Sequence, residues 1–260
     1  MSNLYKLPTY DLKDKVAIVT GSTRGIGHAI ACGFAAAGAS VVVVGTRSEA
    51  CVRVQKEFEE KGYSCLGISA NMGDINSVES LVNQVVERFG HVDILVNNAG
   101  IGGKEAPILN ILPDEWDETF DINLKGLYFC SKAVAAQMKK QGTGGRIINM
   151  ASAAGILAPK YVSVYGSSKA AVIHLTKIMA NEWARYSINV NTIAPGYIAT
   201  DMTKDVMADE KNADAVLKKI ALRRFGDTDD VVGTALFLAT DASKYVTGVL
   251  IPVDGGMTIN

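Results

Sequence analysis

The sequence has no surplus of either charge: 26 lysines and arginines stand against 27 aspartates and glutamates in 260 residues, a formal charge of -1. Without a positive field there is nothing to draw the chain onto nucleic acid or an anionic membrane, so neither is expected as a partner. Metal ligands are sparse too. Three histidines, His28, His91 and His174, are scattered along the chain, and Cys32, Cys51, Cys65 and Cys130 form no CxxC pair. No metal site is expected, and the cysteines read as buried free thiols of a reducing compartment. The opening MSNLYKLPTYDLKDK lacks a basic segment followed by an apolar one, so a cytoplasmic location is expected. No Ser/Pro-rich linker, low-complexity tract or repeat interrupts the sequence, and residues 1–260 read as one domain. One stretch without Asp, Glu, Lys or Arg, residues 25–46, has the length of a membrane span, but Gly38 divides it into an Ala-rich half and the run Val41-Val42-Val43-Val44. Two buried elements explain it better than one spanning helix.

What is present is alternation. Short β-branched runs at 16–20, 41–44, 94–96, 147–150, 188–193 and 249–253, with a weaker one at 65–68, are apolar without a break, as in a sheet covered on both faces. Between them lie segments of helical period at about 26–37, 49–61, 75–89, 114–140, 164–185 and 228–240. Asp74, Asp114 after Pro113, and Asp227 stand where caps belong. The pattern predicts an α/β fold, a single doubly wound parallel sheet flanked by helices on both faces. Residues 201–226 break the rhythm with a charged, helix-forming insertion, read either as a solvated face or as a flap over the carboxyl edge of the sheet.

Strand 16–20 runs into Gly21-Ser22-Thr23-Arg24-Gly25-Ile26-Gly27 and then a helix. That context lets backbone N–H groups and a helix N-terminus approach a pyrophosphate, with glycine where a side chain would collide. About 20 residues on, a carboxylate would hold the 2'-hydroxyl of NAD, whereas an arginine would take the 2'-phosphate of NADP. Here Val44 is followed by Gly45, Thr46 and Arg47, with no acid before Glu49, and Arg24 is a second candidate cation. NADP(H) is expected in preference to NAD(H).

The spacing YxxxK, which sets phenol and ammonium on one helix face, occurs twice, as Tyr128/Lys132 and Tyr165/Lys169. The second pair follows Ser152, which closes strand 147–150 at its carboxyl end where the ligand crevice should lie; the first has nothing comparable before it and reads as structural. Thr20 to Gly27, Asn97-Asn98-Ala99-Gly100, Asn123, Ser152, Tyr165 with Lys169, and Pro195-Gly196, in this order, resemble the short-chain dehydrogenase/reductase family over essentially the whole chain.

The resemblance implies a seven-stranded Rossmann sheet, usually in a homotetramer, and a catalytic tetrad of Asn123, Ser152, Tyr165 and Lys169. It places Asn97 to Gly100 along the adenosine side, Pro195, Gly196, Ile198 and Thr200 around the nicotinamide, and Met202 beyond them among the cofactor contacts. Where many members carry an adenine-binding Asp, this chain has Asn71, followed by Met72. Reduction of a ketone needs a proton on oxygen, and a tyrosine is a poor donor and acceptor near neutrality unless its pKa is lowered. Lys169 is expected to lower it and to hold the nicotinamide ribose, Ser152 to bond the carbonyl oxygen, and Asn123 to position a water leading from Lys169 to solvent. The expected activity is interconversion of a ketone and a secondary alcohol; a catalytically idle NADP(H) sensor is the alternative, though such a module would be expected to have lost a tetrad member.

Within the family the likeness is greatest to 3-oxoacyl-thioester reductases and gluconate 5-dehydrogenase-like enzymes. Thr143 and Tyr186 stand where carrier-protein reductases present arginines, although Lys139, Lys140, Arg146 and Arg185 are near in sequence. Candidate pocket residues are 101–105, 154–161, Tyr197 and the flap at 201–222. Helix 164–185, apolar or small around most of its circumference, suggests either deep cover or, as the resemblance implies, a subunit interface formed with helix 114–140.

Overall fold

A computed structural model describes residues 9–259. Part of the leader reading, residues 1–8, falls outside them. The strands are β1 (Val16–Thr20), β2 (Ser40–Gly45), β3 (Cys65–Ser69), β4 (Ile94–Asn97), β5 (Gly145–Met150), β6 (Ile188–Pro195) and β7 (Leu250–Val253). They form one parallel sheet in the order β3-β2-β1-β4-β5-β6-β7. The chain winds outward from β1 to β3, then returns to pair β4 against the other side of β1. Strand order therefore reverses between β1 and β4, and the carboxyl ends on either side of that point open a crevice.

The helices are α1 (Gly25–Ala36), α2 (Ser48–Glu60), α3 (Ile75–Phe89), α4 (Pro113–Phe120), α5 (Leu127–Gln141), α6 (Ser163–Trp183), α7 (Lys204–Ala208), α8 (Glu210–Leu217) and α9 (Asp229–Ala239). Alternate residues of each central strand feed opposite cores. Ile18, Val42 and Val44 pack with Val78, Leu81, Val134 and Val172 from α3, α5 and α6. Ala17, Val41 and Val43 pack with Ile30, Phe34, Phe58 and Leu238 from α1, α2 and α9. Two covered faces explain why these strands lack polar alternation. No described helix is long and apolar enough to cross a membrane.

The helix expected at 114–140 is three pieces: α4, a π-helical segment Asp121–Gly126, and α5. Asp74 caps α3 by accepting the Asn76 N–H at 3.0 Å, but the other two caps differ. Pro113 occupies the first turn of α4, Asp114 follows it inside the helix, and the Glu115 carboxylate accepts the Leu112 N–H at 3.0 Å. Asp227 lies before Thr228, the residue preceding α9, and its own N–H donates to Asp230 at 2.8 Å. Of the thiols, Cys51 and Cys130 are buried whereas Cys32 and Cys65 are half-buried. Burial pushes both Cys65 and Cys130 up to about 12, which keeps them protonated. Helix α6 buries one stripe, including Val164, Ser168, Val172, Thr176 and Met179, and leaves Ile178 exposed, so deep cover on all sides does not hold.

Candidate active site

The crevice begins where β1 and β4 end. The Thr20 hydroxyl accepts the N–H groups of Asn98 and Ala99, each at 3.0 Å, and the Asn98 amide donates to the carbonyls of Thr20 and Gly21 at 2.9 and 3.1 Å. These bonds lock the two strand ends together and fix the turn above them. Gly21 has φ of +64°, and a Cβ there would stand 2.9 Å from the Ala99 Cα, so both conformation and space require glycine. The turn leads into α1, whose preceding residue, Arg24, makes no side-chain cap bond. The first N–H groups of α1 thus keep their capacity to bind an anion.

A cavity of about 950 Å³ extends from this turn across the carboxyl ends of the sheet. Gly21, Thr23, Arg24, Gly25, Ile26, Thr46, Arg47, Asn71, Met72, Asn98, Ala99, Gly100, Ser152, Tyr165, Lys169, Pro195, Gly196, Ile198, Thr200 and Met202 line it. Four expected site residues do not: Asn97, whose buried amide donates to Ser131 and Asn149, each at 2.8 Å, and Ser22, Gly27 and Asn123. Ser22 is fully buried, its hydroxyl donating to the Val19 carbonyl at 2.6 Å and accepting the Val44 N–H at 3.0 Å. Gly27 packs so closely on Gly21 and Asn98 that a Cβ would overlap them. Asn123, buried in the π segment, accepts from the Ile101 N–H at 2.8 Å and donates to the Ile101 carbonyl and the Ser168 hydroxyl at 2.9 and 3.1 Å. Its side chain is thereby committed to the wall behind the cavity. Asn71 turns its side-chain oxygen back onto the Gly73 N–H at 3.0 Å, leaving its donors for a ligand.

Ser152 lies two residues beyond the end of β5, and its hydroxyl accepts the Ala154 N–H at 3.1 Å. Tyr165, in the first turn of α6, shares a hydrogen bond with Ser152, and Lys169 lies one turn further on with its Nζ 5.8 Å from the Tyr165 ring centre. The Lys169 ammonium donates to the Met150 carbonyl at 2.9 Å and is otherwise enclosed; burial pulls it down to about 8. The Tyr165 phenol moves the other way from expectation. Burial raises it, and the bond from Ser152 only partly offsets that, so in the free protein the phenol stays protonated. Tyr128, by contrast, is an exposed residue of α5 outside the cavity, and Lys132 lies over Phe129.

Sequence reasoning missed Ile122 and Met150 among the lining residues, and named others only as part of the flap at 201–222, namely Asp201, Thr203 and Lys204. The last three begin the 201–226 insertion, whose ends are drawn together where the Ala199 N–H donates to the Gly226 carbonyl at 2.8 Å and the Gly226 N–H to that of Tyr197 at 3.0 Å. Of the expected pocket residues, Ile101, Gly102 and the flap residues Asp201 to Lys204 line this cavity, whereas 103–105, 154–161 and Tyr197 do not. The Tyr186 surface is also cationic: Lys139 lies over its ring at 4.8 Å, and Arg185 donates to its hydroxyl at 2.6 Å.

The chemistry of this lining suits a dinucleotide laid along the strand ends. The profile of a family described as enoyl-(acyl carrier protein) reductase matches residues 21–258. The chain is 43% identical to 2-dehydro-3-deoxy-D-gluconate 5-dehydrogenase of Dickeya dadantii, covering 96% of this chain and 98% of that one. It is 41% identical to a 3-oxoacyl-[acyl-carrier-protein] reductase of Synechocystis, covering 95% and 98%. Among solved structures, a gluconate 5-dehydrogenase from Burkholderia cenocepacia in complex with NADP and tartrate superposes with a TM-score of 0.93 at 36% identity, covering 96% of this chain and 98% of that one.

Proposed function

The chain belongs to the short-chain dehydrogenase/reductase family and is an oxidoreductase of alcohol and keto groups, and from that premise we propose that it interconverts a ketone and a secondary alcohol using NADP(H), with Tyr165 exchanging the proton. The observation that carries this reading is convergence: Ser152, Tyr165 and Lys169 line the same cavity as the glycine turn, Arg24 and Arg47.

The turn from Gly21 to Gly25 and the open N-terminus of α1 would hold the pyrophosphate, Arg24 and Arg47 the 2'-phosphate, and Asn71 the adenine edge. Pro195, Ile198 and Thr200 would border the nicotinamide. When bound, the cofactor gives a hydride to the carbonyl carbon or takes one from the carbinol carbon. Ser152 donates its hydroxyl hydrogen to the substrate oxygen, and Tyr165, protonated in the resting site, is ready to give that oxygen its proton during reduction. Lys169 then acts where it is most useful, because an ammonium beside the ring favours the phenolate left behind. With its own proton held only to about 8, Lys169 can pass one on near neutrality. Asn123 fixes the Ile101 loop and, through Ser168, the first turns of α6, so it acts by positioning.

The names of the relatives support a keto sugar acid or a 3-oxoacyl thioester as substrate. The direct test follows reduced-nicotinamide absorbance with NADPH and with NADH against keto sugar acids, 3-oxoacyl and 2-enoyl thioesters, and simple ketones. NADPH oxidation by a carbonyl compound, faster than with NADH, is the expected result. Preference for NADH would overturn the cofactor reading. Turnover of the enoyl thioester alone would overturn the ketone reading, and tight NADPH binding without any turnover would point to the sensor.

A further inference from the structure

The structure joins the two sides of the cavity mouth by one contact. Arg24, in the glycine turn, reaches Asp201, the first residue of the insertion, at 2.7 Å across 177 residues of sequence. Both side chains line the cavity, and Asp201 is the one carboxylate among its described lining residues. Both are also well exposed, at 71% and 63%, so the pair can open without unpacking anything.

Arg24 is also the residue that the proposed function assigns to the ribose 2'-phosphate, and the inference rests on that reading. We infer that Asp201 is a specificity-determining residue: its carboxylate competes with the 2'-phosphate for the Arg24 guanidinium and moderates the preference for NADP(H) over NAD(H). A dianionic phosphate must either take Arg24 from Asp201 or share it, and sharing sets two anions side by side. A dinucleotide with a free 2'-hydroxyl has no such claim on the guanidinium and leaves the pair intact. Asp201 therefore penalises one cofactor and not the other. The size of the penalty is bounded by the exposure of the pair, since an ion pair in solvent is worth only about two- to fivefold in an equilibrium constant.

The test is calorimetric titration of the full chain with NADP+ and with NAD+, for the wild type, Asp201→Asn, Arg24→Ala and the double variant. Asp201→Asn is expected to tighten NADP+ binding about threefold and to leave NAD+ unchanged, and the gain is expected to vanish when Arg24 is alanine. Equal shifts for both nucleotides, or no shift for NADP+ while Arg24→Ala still weakens it, would overturn the role of Asp201. If Arg24→Ala leaves NADP+ binding untouched, the phosphate assignment of Arg24 itself fails, and the role of Asp201 with it. The two failures are distinct because the single Arg24 variant separates them.

Discussion

Lys169 is buried at the cavity wall, its ammonium donating to the Met150 carbonyl, and this sets its effect on stability as well as on proton transfer. Burial lowers it from 10.5 to about 8, so between those values the unfolded chain holds a proton that the folded chain has released. Stability then rises with pH through that window. Tyr165 is shifted upward from 10.0; its contribution is complete below that value and is lost as pH climbs through the folded one. The interval from about pH 8 to 10 therefore reports Lys169 alone of the two. Compared with Lys169→Met in urea unfolding, the wild type should gain relative stability between about pH 7 and about pH 9.5. A difference that stays constant would show that the ammonium is not strained by burial. At this scale the meeting of Ser152, Tyr165 and Lys169 in one cavity was legible because their spacing and their place after a buried strand are local facts. Ser22 and Gly27 were read as cofactor contacts, and Asn123 as the holder of a water, although all three stand behind the wall, since a motif residue that packs and one that faces a ligand look alike in a string. Asp201 was read only as part of a flap, because its partner lies across the fold.

The interrupted helix between β4 and β5 shows what periodicity conceals. Apolar spacing runs through residues 114–140, yet the π turn Asp121–Gly126 adds a residue to the winding and aims Asn123 inward. Its end is set by Gly126, where a Cβ would drive into the Met72 carbonyl. Gly126→Ala must displace either the π segment or the loop after β3 that lines the cavity, and should cost about 1–3 kcal/mol in denaturant unfolding. Gly233 is the control: it is exposed within α9 with nothing inside 4 Å of a new Cβ. Gly233→Ala should instead stabilise by about 0.4–1 kcal/mol. If both substitutions proved neutral, the close approach at Gly126 would be wrong. Boundaries of the other helices were readable to within a few residues from caps and apolar stripes. The starts of α4 and α9 also fall within one residue of the expected positions, but their caps were misread, because proline at the first turn and a carboxylate reaching back displace the acidic residue that seemed to be the cap.

At the scale of the whole molecule, one reversal of strand order organises everything the site needs. The ends of β1 and β2 deliver the glycine turn and the arginines, β4 delivers Asn98 to Gly100, and β5 and β6 deliver Ser152 and the Pro195 turn. Alternation of apolar runs and helical segments predicted the parallel sheet, because only a doubly covered sheet tolerates strands apolar on both faces. The order of strands is a matter of which ends meet, which the pattern does not state; the resemblance implied only the seven-stranded Rossmann sheet. The central claim is that this meeting places a proton donor, Tyr165, beside a carbonyl and a bound NADPH. It is tested most directly by measuring NADPH affinity and carbonyl turnover together in the wild type and in Tyr165→Phe. The expected result is unchanged NADPH binding and turnover lowered about 10²- to 10⁴-fold, the usual worth of a positioned acid. A Tyr165→Phe protein that binds NADPH and keeps most of its turnover would contradict it.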